Sequence, residues 1–172
     1  MVVIDDKACW GCKSCEVACK QENQAPRGIQ YISVSEDGPK TLDGKLDFFY
    51  RVRICRHCDT PECLEACPVE AITKRDDGLV ILDDGACNGC GACIEACPFR
   101  AIVFDEQSGK ARKCNLCHHR VDQGLIPACA DNICPAHCIY FGQSEGMERM
   151  IEDKIWLKER LAEENNPGIV PK

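Results

Sequence analysis

Cysteine is the residue type whose spacing in this sequence points most directly to chemistry. The first and third of four groups share the spacing C-x2-C-x2-C-x3-C, the second reads C-x2-C-x4-C-x3-C, and the fourth is looser. Three thiolates within seven residues can surround one metal centre, whereas a disulfide framework would not need the same spacing twice. The groups are Cys9, Cys12, Cys15 and Cys19; Cys55, Cys58, Cys63 and Cys67; Cys87, Cys90, Cys93 and Cys97; and Cys114, Cys117, Cys129, Cys134 and Cys138.

The repeated spacing is that of the bacterial ferredoxin run. In such a run three cysteines bind one [4Fe-4S] cluster, and the fourth ligates the other cluster of a pair. Pro68 and Pro98 follow the last cysteines of groups two and three, where a proline turns the chain out of the site. Gly11 and Gly89 allow the backbone to approach a cluster closely. Zinc remains an alternative for the fourth group, because structural zinc is often bound by two separated cysteine pairs.

Crossing of the fourth ligands predicts four cluster sites. Groups two and three form one ferredoxin-like unit, since both end in C-P-x-x-A-I, and groups one and four then pair across the chain. The predicted sets are Cys55, Cys58 and Cys63 with Cys97; Cys87, Cys90 and Cys93 with Cys67; Cys9, Cys12 and Cys15 with a late cysteine of group four; and Cys114, Cys117 and Cys129 with Cys19. We expect four [4Fe-4S] clusters, or three if the irregular fourth group fails to supply a ligand.

The composition indicates that cofactors help to hold the fold. Of 172 residues 45% are hydrophobic, but this fraction includes 17 cysteines, and aromatic residues make up only 6%. A conventional apolar core is therefore thin. The net charge of −7 argues against a nucleic-acid partner. No export signal and no run of about 18 apolar residues is visible, so we expect a cytoplasmic protein without a membrane span.

The sequence also contains an internal repeat and a few recognisable elements. Residues 3–19 match residues 81–97 at a shift of 78 positions. Alternation at 29–35 and an apolar run at 48–54 predict an inserted β-hairpin, with turns at 36–38 and 42–44, and further strands are expected at 79–82 and 102–104. Residues 146–164 predict an amphipathic helix, which either packs on the body or clasps a partner.

We therefore expect an α+β fold with two bacterial 2[4Fe-4S] ferredoxin-like modules related by pseudo-two-fold symmetry. The predicted parts are residues 1–27 with 105–142, the hairpin 28–54, the second module 55–104, and the C-terminal helix and tail 143–172.

Residues 4–142 resemble the four-cluster iron–sulfur subunits of molybdenum and tungsten oxidoreductases, such as those of dimethyl sulfoxide reductase, formate dehydrogenase and polysulfide reductase. The segment "CRHCDTPECLEACP" resembles the family's second group, and "PAC…CP…IYFG" resembles the end of its fourth. The sequence departs from the family where four residues, instead of three, separate Cys129 from Cys134, and where Cys138 replaces an alanine. The position of Pro135 favours Cys134 as the ligand, and Cys138 is the alternative.

The resemblance implies a subunit that relays single electrons to or from a large molybdenum- or tungsten-pterin catalytic subunit. A further redox subunit or a ferredoxin is an additional expected partner, and the chain's small size resembles subunits that serve tungsten enzymes of the aldehyde oxidoreductase class. The sequence shows no nucleophile–base pair, phosphate loop or dinucleotide fingerprint of its own. A free polyferredoxin-type or hydrogenase-linked carrier and a zinc-binding structural module are the alternatives.

Basic residues concentrate near groups two and four. Individually they are expected to be solvated surface charges, and together they can offset the negative charge of nearby clusters. They are Arg51, Arg53, Arg56, His57, Lys110, Arg112, Lys113, His118, His119 and Arg120.

Overall fold

Pairs of short antiparallel strands, joined by cysteine-bearing loops and short helices, make up the structure. The computed structural model describes residues 2–42, 44–130 and 132–142. The predicted helix at 146–164 lies outside the described residues. The strand pairs are β1 (Val2–Ile4) with β8 (Ile139–Phe141), β2 (Ile32–Leu42) with β3 (Lys45–Ile54), β4 (Ile72–Lys74) with β5 (Val80–Leu82), and β6 (Ile102–Asp105) with β7 (Lys110–Lys113).

The helices are short, and each begins within or next to a cysteine group. They are α1 (Ser14–Glu22), α2 (Glu62–Glu65), α3 (Ala92–Ala96) and α4 (His118–Val121). The structure thus confirms an α+β class with small sheets, and it confirms the inserted hairpin and the strands predicted at 79–82 and 102–104. The boundaries between the two modules stay a prediction.

The turn predicted at 36–38 is wrong. Strand β2 continues through this segment, and the register with β3 shifts between Asp37 and Lys40. Pairing resumes at Lys40 opposite Asp47, so the Asp-Gly-Pro sequence forms an irregularity within a long strand. The chain reverses only after Leu42, where the second turn was predicted.

Two contacts fix the hairpin to the first cysteine group. A Glu16 carboxylate oxygen accepts the backbone N–H of Val34 at 2.5 Å. On the other strand, the Asp6 carboxylate accepts the N–H of Val52 at 3.1 Å. Glu16, within the first group, and Asp6, just before it, therefore attach both strands of the hairpin.

Cysteines form a large part of the interior. Nine of the 17 are buried, six are half-buried and two are exposed. One apolar cluster joins the hairpin residues Ile32 and Ile54 to cysteines of groups one, two and four. A second joins Ile72, Val80 and Ile102 to Cys93. Much of the core is thus built from side chains that can bind metal, in agreement with the thin apolar core expected from composition.

Candidate metal centres

All four cysteine groups repeat one loop conformation. The residue before the second cysteine has a positive φ in every group: +69° at Gly11, +48° at His57, +74° at Gly89 and +57° at Leu116. Two of these are glycines because close neighbours leave no room for a side chain. A Cβ at Gly11 would lie 2.2 Å from the Tyr50 ring, and one at Gly89 would lie 1.9 Å from a backbone oxygen.

A second repeated turn follows the cysteine that precedes a proline in three groups. The backbone N–H four residues after the cysteine donates to its sulfur: Ala71 to Cys67 at 3.3 Å, Ala101 to Cys97 at 3.4 Å, and Cys138 to Cys134 at 3.5 Å. The residue before each donor again has a positive φ, namely Glu70, Arg100 and His137. Cys134 therefore occupies the position of Cys67 and Cys97, and Cys138 occupies the position of an alanine.

The predicted ligand sets stay a prediction, but several of their thiols interact with one another in the structure. We name the four sets site A (Cys9, Cys12, Cys15 and Cys134), site B (Cys114, Cys117, Cys129 and Cys19), site C (Cys55, Cys58, Cys63 and Cys97) and site D (Cys87, Cys90, Cys93 and Cys67). All four cysteines of site C line a single cavity, together with Val80 and Phe99.

At sites D and B, the thiols of the predicted sets interact with one another or with a shared neighbour. At site D, burial and then repulsion from the thiolates of Cys87, Cys67 and Cys90 raise the pKa of Cys93. At site B, the Asn23 amide contacts the sulfurs of Cys19 at 3.7 Å and Cys117 at 3.5 Å. Asn23 has no counterpart in the sequence pattern and was not predicted.

Site A contains one thiol more than a single cluster needs. The sulfurs of Cys134 and Cys138 lie 3.5 Å apart. Burial, and after it repulsion from the Cys134 thiolate, raises the pKa of Cys15 to about 12. Burial also raises the pKa of Cys138, and interactions with Cys134 and Cys9 raise the same pKa. Both late cysteines therefore lie at the site that was predicted to take one of them.

The buried thiols fit a site that supplies positive charge. Burial raises the pKa of Cys19 to about 12 and that of Cys63 to about 11, and it also raises the pKa of Cys114 and Cys129. Thiols with such a raised pKa would lose their protons when iron binds to the sulfur in place of the proton. By contrast, a hydrogen bond from Ser14 lowers the pKa of the exposed Cys12.

A single metal ion suits these sets less well than a cluster. Within 2–42, 44–130 and 132–142, no three Cys, His, Asp or Glu side chains are close enough together to hold one ion. Four ligands of one zinc all lie about 2.3 Å from it. The ligands of a [4Fe-4S] cluster bind four separate irons and therefore stand farther apart.

Most of the basic residues near groups two and four lie at the surface as expected, but two of them are buried. Arg51 pairs with Asp37, Arg112 pairs with Asp84, and both His119 and Arg120 pair with Glu22 at the surface. Lys113 and His57, in contrast, are only 6% and 7% exposed. The alternation of side chains along β7 could have predicted the burial of Lys113, because Lys113 lies two residues from the buried Ala111 and therefore on the same face.

Comparison with known proteins agrees with the thiol geometry. The sequence family described as a 4Fe-4S dicluster domain matches residues 46–144. A tetrathionate reductase subunit of Salmonella typhimurium is 38% identical over 76% of this sequence and 53% of its own length. The thiosulfate reductase electron transfer subunit of Salmonella typhi is 37% identical over 86% and 78% of the two proteins. A polysulfide reductase subunit of Wolinella succinogenes is 34% identical over 99% and 90%.

The present sequence thus spans about half the length of the tetrathionate reductase subunit and nearly all of the polysulfide reductase subunit. In the described ranges, no helix has the length and apolar character needed to cross a bilayer. The extent of these matches, together with the cysteine loops, shows that this protein belongs to the family of 4Fe-4S dicluster proteins, with [4Fe-4S] clusters as its cofactors.

Proposed function

We propose that this protein relays single electrons to or from a molybdenum- or tungsten-pterin catalytic subunit through four [4Fe-4S] sites. The observation that carries this proposal is the arrangement of sixteen cysteines in four adjoining sets, A to D, with an exposed cysteine only in the first and the last. When bound, each cluster supplies one-electron redox chemistry. The protein holds the clusters and spaces them, and it buries all four cysteines of site B.

The linear order of the sites is supported by pairs of cysteines. Helix α1 carries Cys15 of site A and Cys19 of site B, one helical turn apart. Cys114 of site B lies near Cys55 of site C, since repulsion from the Cys55 thiolate adds to the effect of burial in raising the pKa of Cys114. Helix α3 and its end carry Cys93 of site D and Cys97 of site C. Four residues of helix span about 6 Å, so neighbouring sites are close.

Site A takes Cys134 as its fourth ligand. The proline, the positive φ and the N–H to sulfur bond that follow Cys134 repeat those of Cys67 and Cys97, which supports this choice over Cys138. The same repetition supports two ferredoxin-like modules related by pseudo-two-fold symmetry, with sites A and B in one and sites C and D in the other.

The exposed ends of the series give access to partners. Cys12 of site A and Cys90 of site D are both exposed. Trp10, between Cys9 and Cys12, is 65% exposed. Large aromatic side chains are typical of the buried centre of protein interfaces. We therefore place the catalytic subunit at site A and a second redox partner, such as a ferredoxin, at site D.

The cytoplasm suits this assembly because a reducing compartment keeps thiols available as cluster ligands. Fractionation of cells followed by detection of the protein tests this location.

Purification of the tagged protein under anaerobic conditions tests the proposed partner. We expect a large protein to co-elute in fixed ratio and to contain molybdenum or tungsten. An iron-loaded protein that elutes alone, under conditions that preserve related complexes, would contradict the subunit role and indicate the free carrier.

A further inference from the structure

A buried cation lies at the junction between sites B and C. Both backbone polar groups of Val80 on β5, the N–H and the carbonyl, form hydrogen bonds there. Its N–H donates to Nδ1 of His57 at 3.0 Å, and its carbonyl accepts a hydrogen bond from the Lys113 ammonium. The same ammonium donates to the Cys114 carbonyl at 2.8 Å. Lys113 thus connects the strand that lines site C with a ligand of site B.

The charge of Lys113 has no protein counter-ion in the described part of the chain. Both of its hydrogen bonds go to backbone carbonyls, and no Asp or Glu there pairs with it. Lysine is almost never buried unless it is paired, because removing an ammonium from water is costly. An anion close to this point would therefore stabilise the fold.

His57 does not share this positive charge. Because Nδ1 accepts the Val80 N–H, the ring proton lies on Nε2 and the imidazole is neutral. Nε2 is buried and has no hydrogen-bond partner among the described residues. The junction therefore presents one ammonium and one unused N–H donor, both suited to a neighbouring anion.

The positive charge of Lys113 acts on ligands of both central sites. Burial raises the pKa of Cys63, a ligand of site C, and the Lys113 ammonium lowers it. The ammonium acts in the same way on the pKa of Cys114, a ligand of site B. Its field therefore reaches one ligand on each side.

We propose that Lys113 is a tuning residue that raises the reduction potentials of the clusters at sites B and C relative to those at sites A and D. Reduction adds one negative charge to a cluster, and a fixed buried cation stabilises the reduced form more than the oxidised form. This inference rests on the ligand assignment of the proposed function. It adds that the central pair holds electrons more tightly than it would without the charge of Lys113.

Potentiometric titration of the iron-loaded protein, followed by electron paramagnetic resonance, tests the proposal. The variants are Lys113→Met, which removes the charge, Lys113→Gln, which keeps a hydrogen-bond donor, and Lys113→Arg, which keeps the charge. Lys110→Met, on the same strand but half-buried, is the matched control. The iron content is measured for every variant, so that loss of a cluster is distinguished from a shift in potential.

We expect Lys113→Met and Lys113→Gln to disfavour reduction of two clusters about tenfold each, which is ~59 mV for a one-electron couple. Lys113→Arg restores the potentials, and Lys110→Met leaves all of them unchanged. Unchanged potentials in both neutral variants, an equal shift of all clusters, or loss of iron from both neutral variants would overturn the tuning role. A wild-type protein with about sixteen irons leaves the proposed function intact in each of those cases.

Discussion

Gly89 shows how the cysteine loops depend on single residues. It combines a φ of +74° with a backbone oxygen, that of Gly109, 1.9 Å from the place where a Cβ would stand. Gly91, two residues later, has a φ of +80° but open space around that place. The comparison separates the cost of backbone conformation from the cost of a steric clash.

We expect Gly91→Ala to destabilise the fold by about 1–2 kcal/mol, which is the usual cost of this conformation for a residue with a Cβ. Gly89→Ala should cost more, because the backbone at Gly109 must also move. The apparent melting temperature and iron content of the loaded protein measure both effects. Equal melting temperatures for the two variants would contradict the steric explanation.

The two late cysteines allow a direct test of the ligand at site A. Cys138→Ala should retain all iron, since alanine occupies the matching positions 71 and 101. Cys134→Ala should lose about four irons or leave a three-iron species, because the fourth ligand is gone. Iron analysis and electron paramagnetic resonance distinguish these results. Full iron in Cys134→Ala with loss in Cys138→Ala would reverse the assignment.

At the residue scale, the division of the cysteines among clusters stays a prediction, but the sequence predicted the candidate ligands themselves, because ligand spacing is a local property with a known chemical cause. It did not predict the burial of Lys113 or His57. Their burial depends on hydrogen bonds to the backbone of Val80 on β5, which lies 23 positions from His57 and 33 positions from Lys113 in the sequence.

At the scale of elements, the inserted hairpin depends on its attachment to the first cysteine group. Glu16 precedes Cys19 on α1 and accepts the Val34 N–H, so it couples the helix to β2. The hairpin was predictable from its alternating apolar residues. The length of β2 was not, because continued pairing with β3 overrides the turn signal of Asp37 and Gly38.

Glu16→Ala should speed hydrogen exchange at Val34 and its neighbours in the hairpin, because the N–H loses its acceptor. Glu65→Ala is the control, since Glu65 is an exposed glutamate of another short helix. Iron at sites C and D should be unaffected in both variants. Exchange measured by mass spectrometry that shows no change at Val34 would contradict the anchoring role.

At the scale of the whole molecule, the four sites differ in protection from solvent. All four cysteines of site B are buried, whereas sites A and D each include one exposed cysteine. An exposed ligand allows oxidants to reach the bound iron.

Controlled oxidation should therefore release iron in two phases. We expect about eight of about sixteen irons to leave first, from sites A and D, and the iron of sites B and C to follow more slowly. Time-resolved iron release, with electron paramagnetic resonance of the remaining clusters, measures the two phases. A single phase for all iron would contradict the difference in protection.

The most direct test of the four-cluster relay is a count of metal and redox transitions in the anaerobically purified protein. Iron, acid-labile sulfide and zinc are assayed in one sample, which is then titrated reductively under electron paramagnetic resonance. We expect about sixteen irons per molecule, as many sulfides, no stoichiometric zinc and four one-electron transitions. About twelve irons, or zinc in place of iron, would contradict the four-cluster relay.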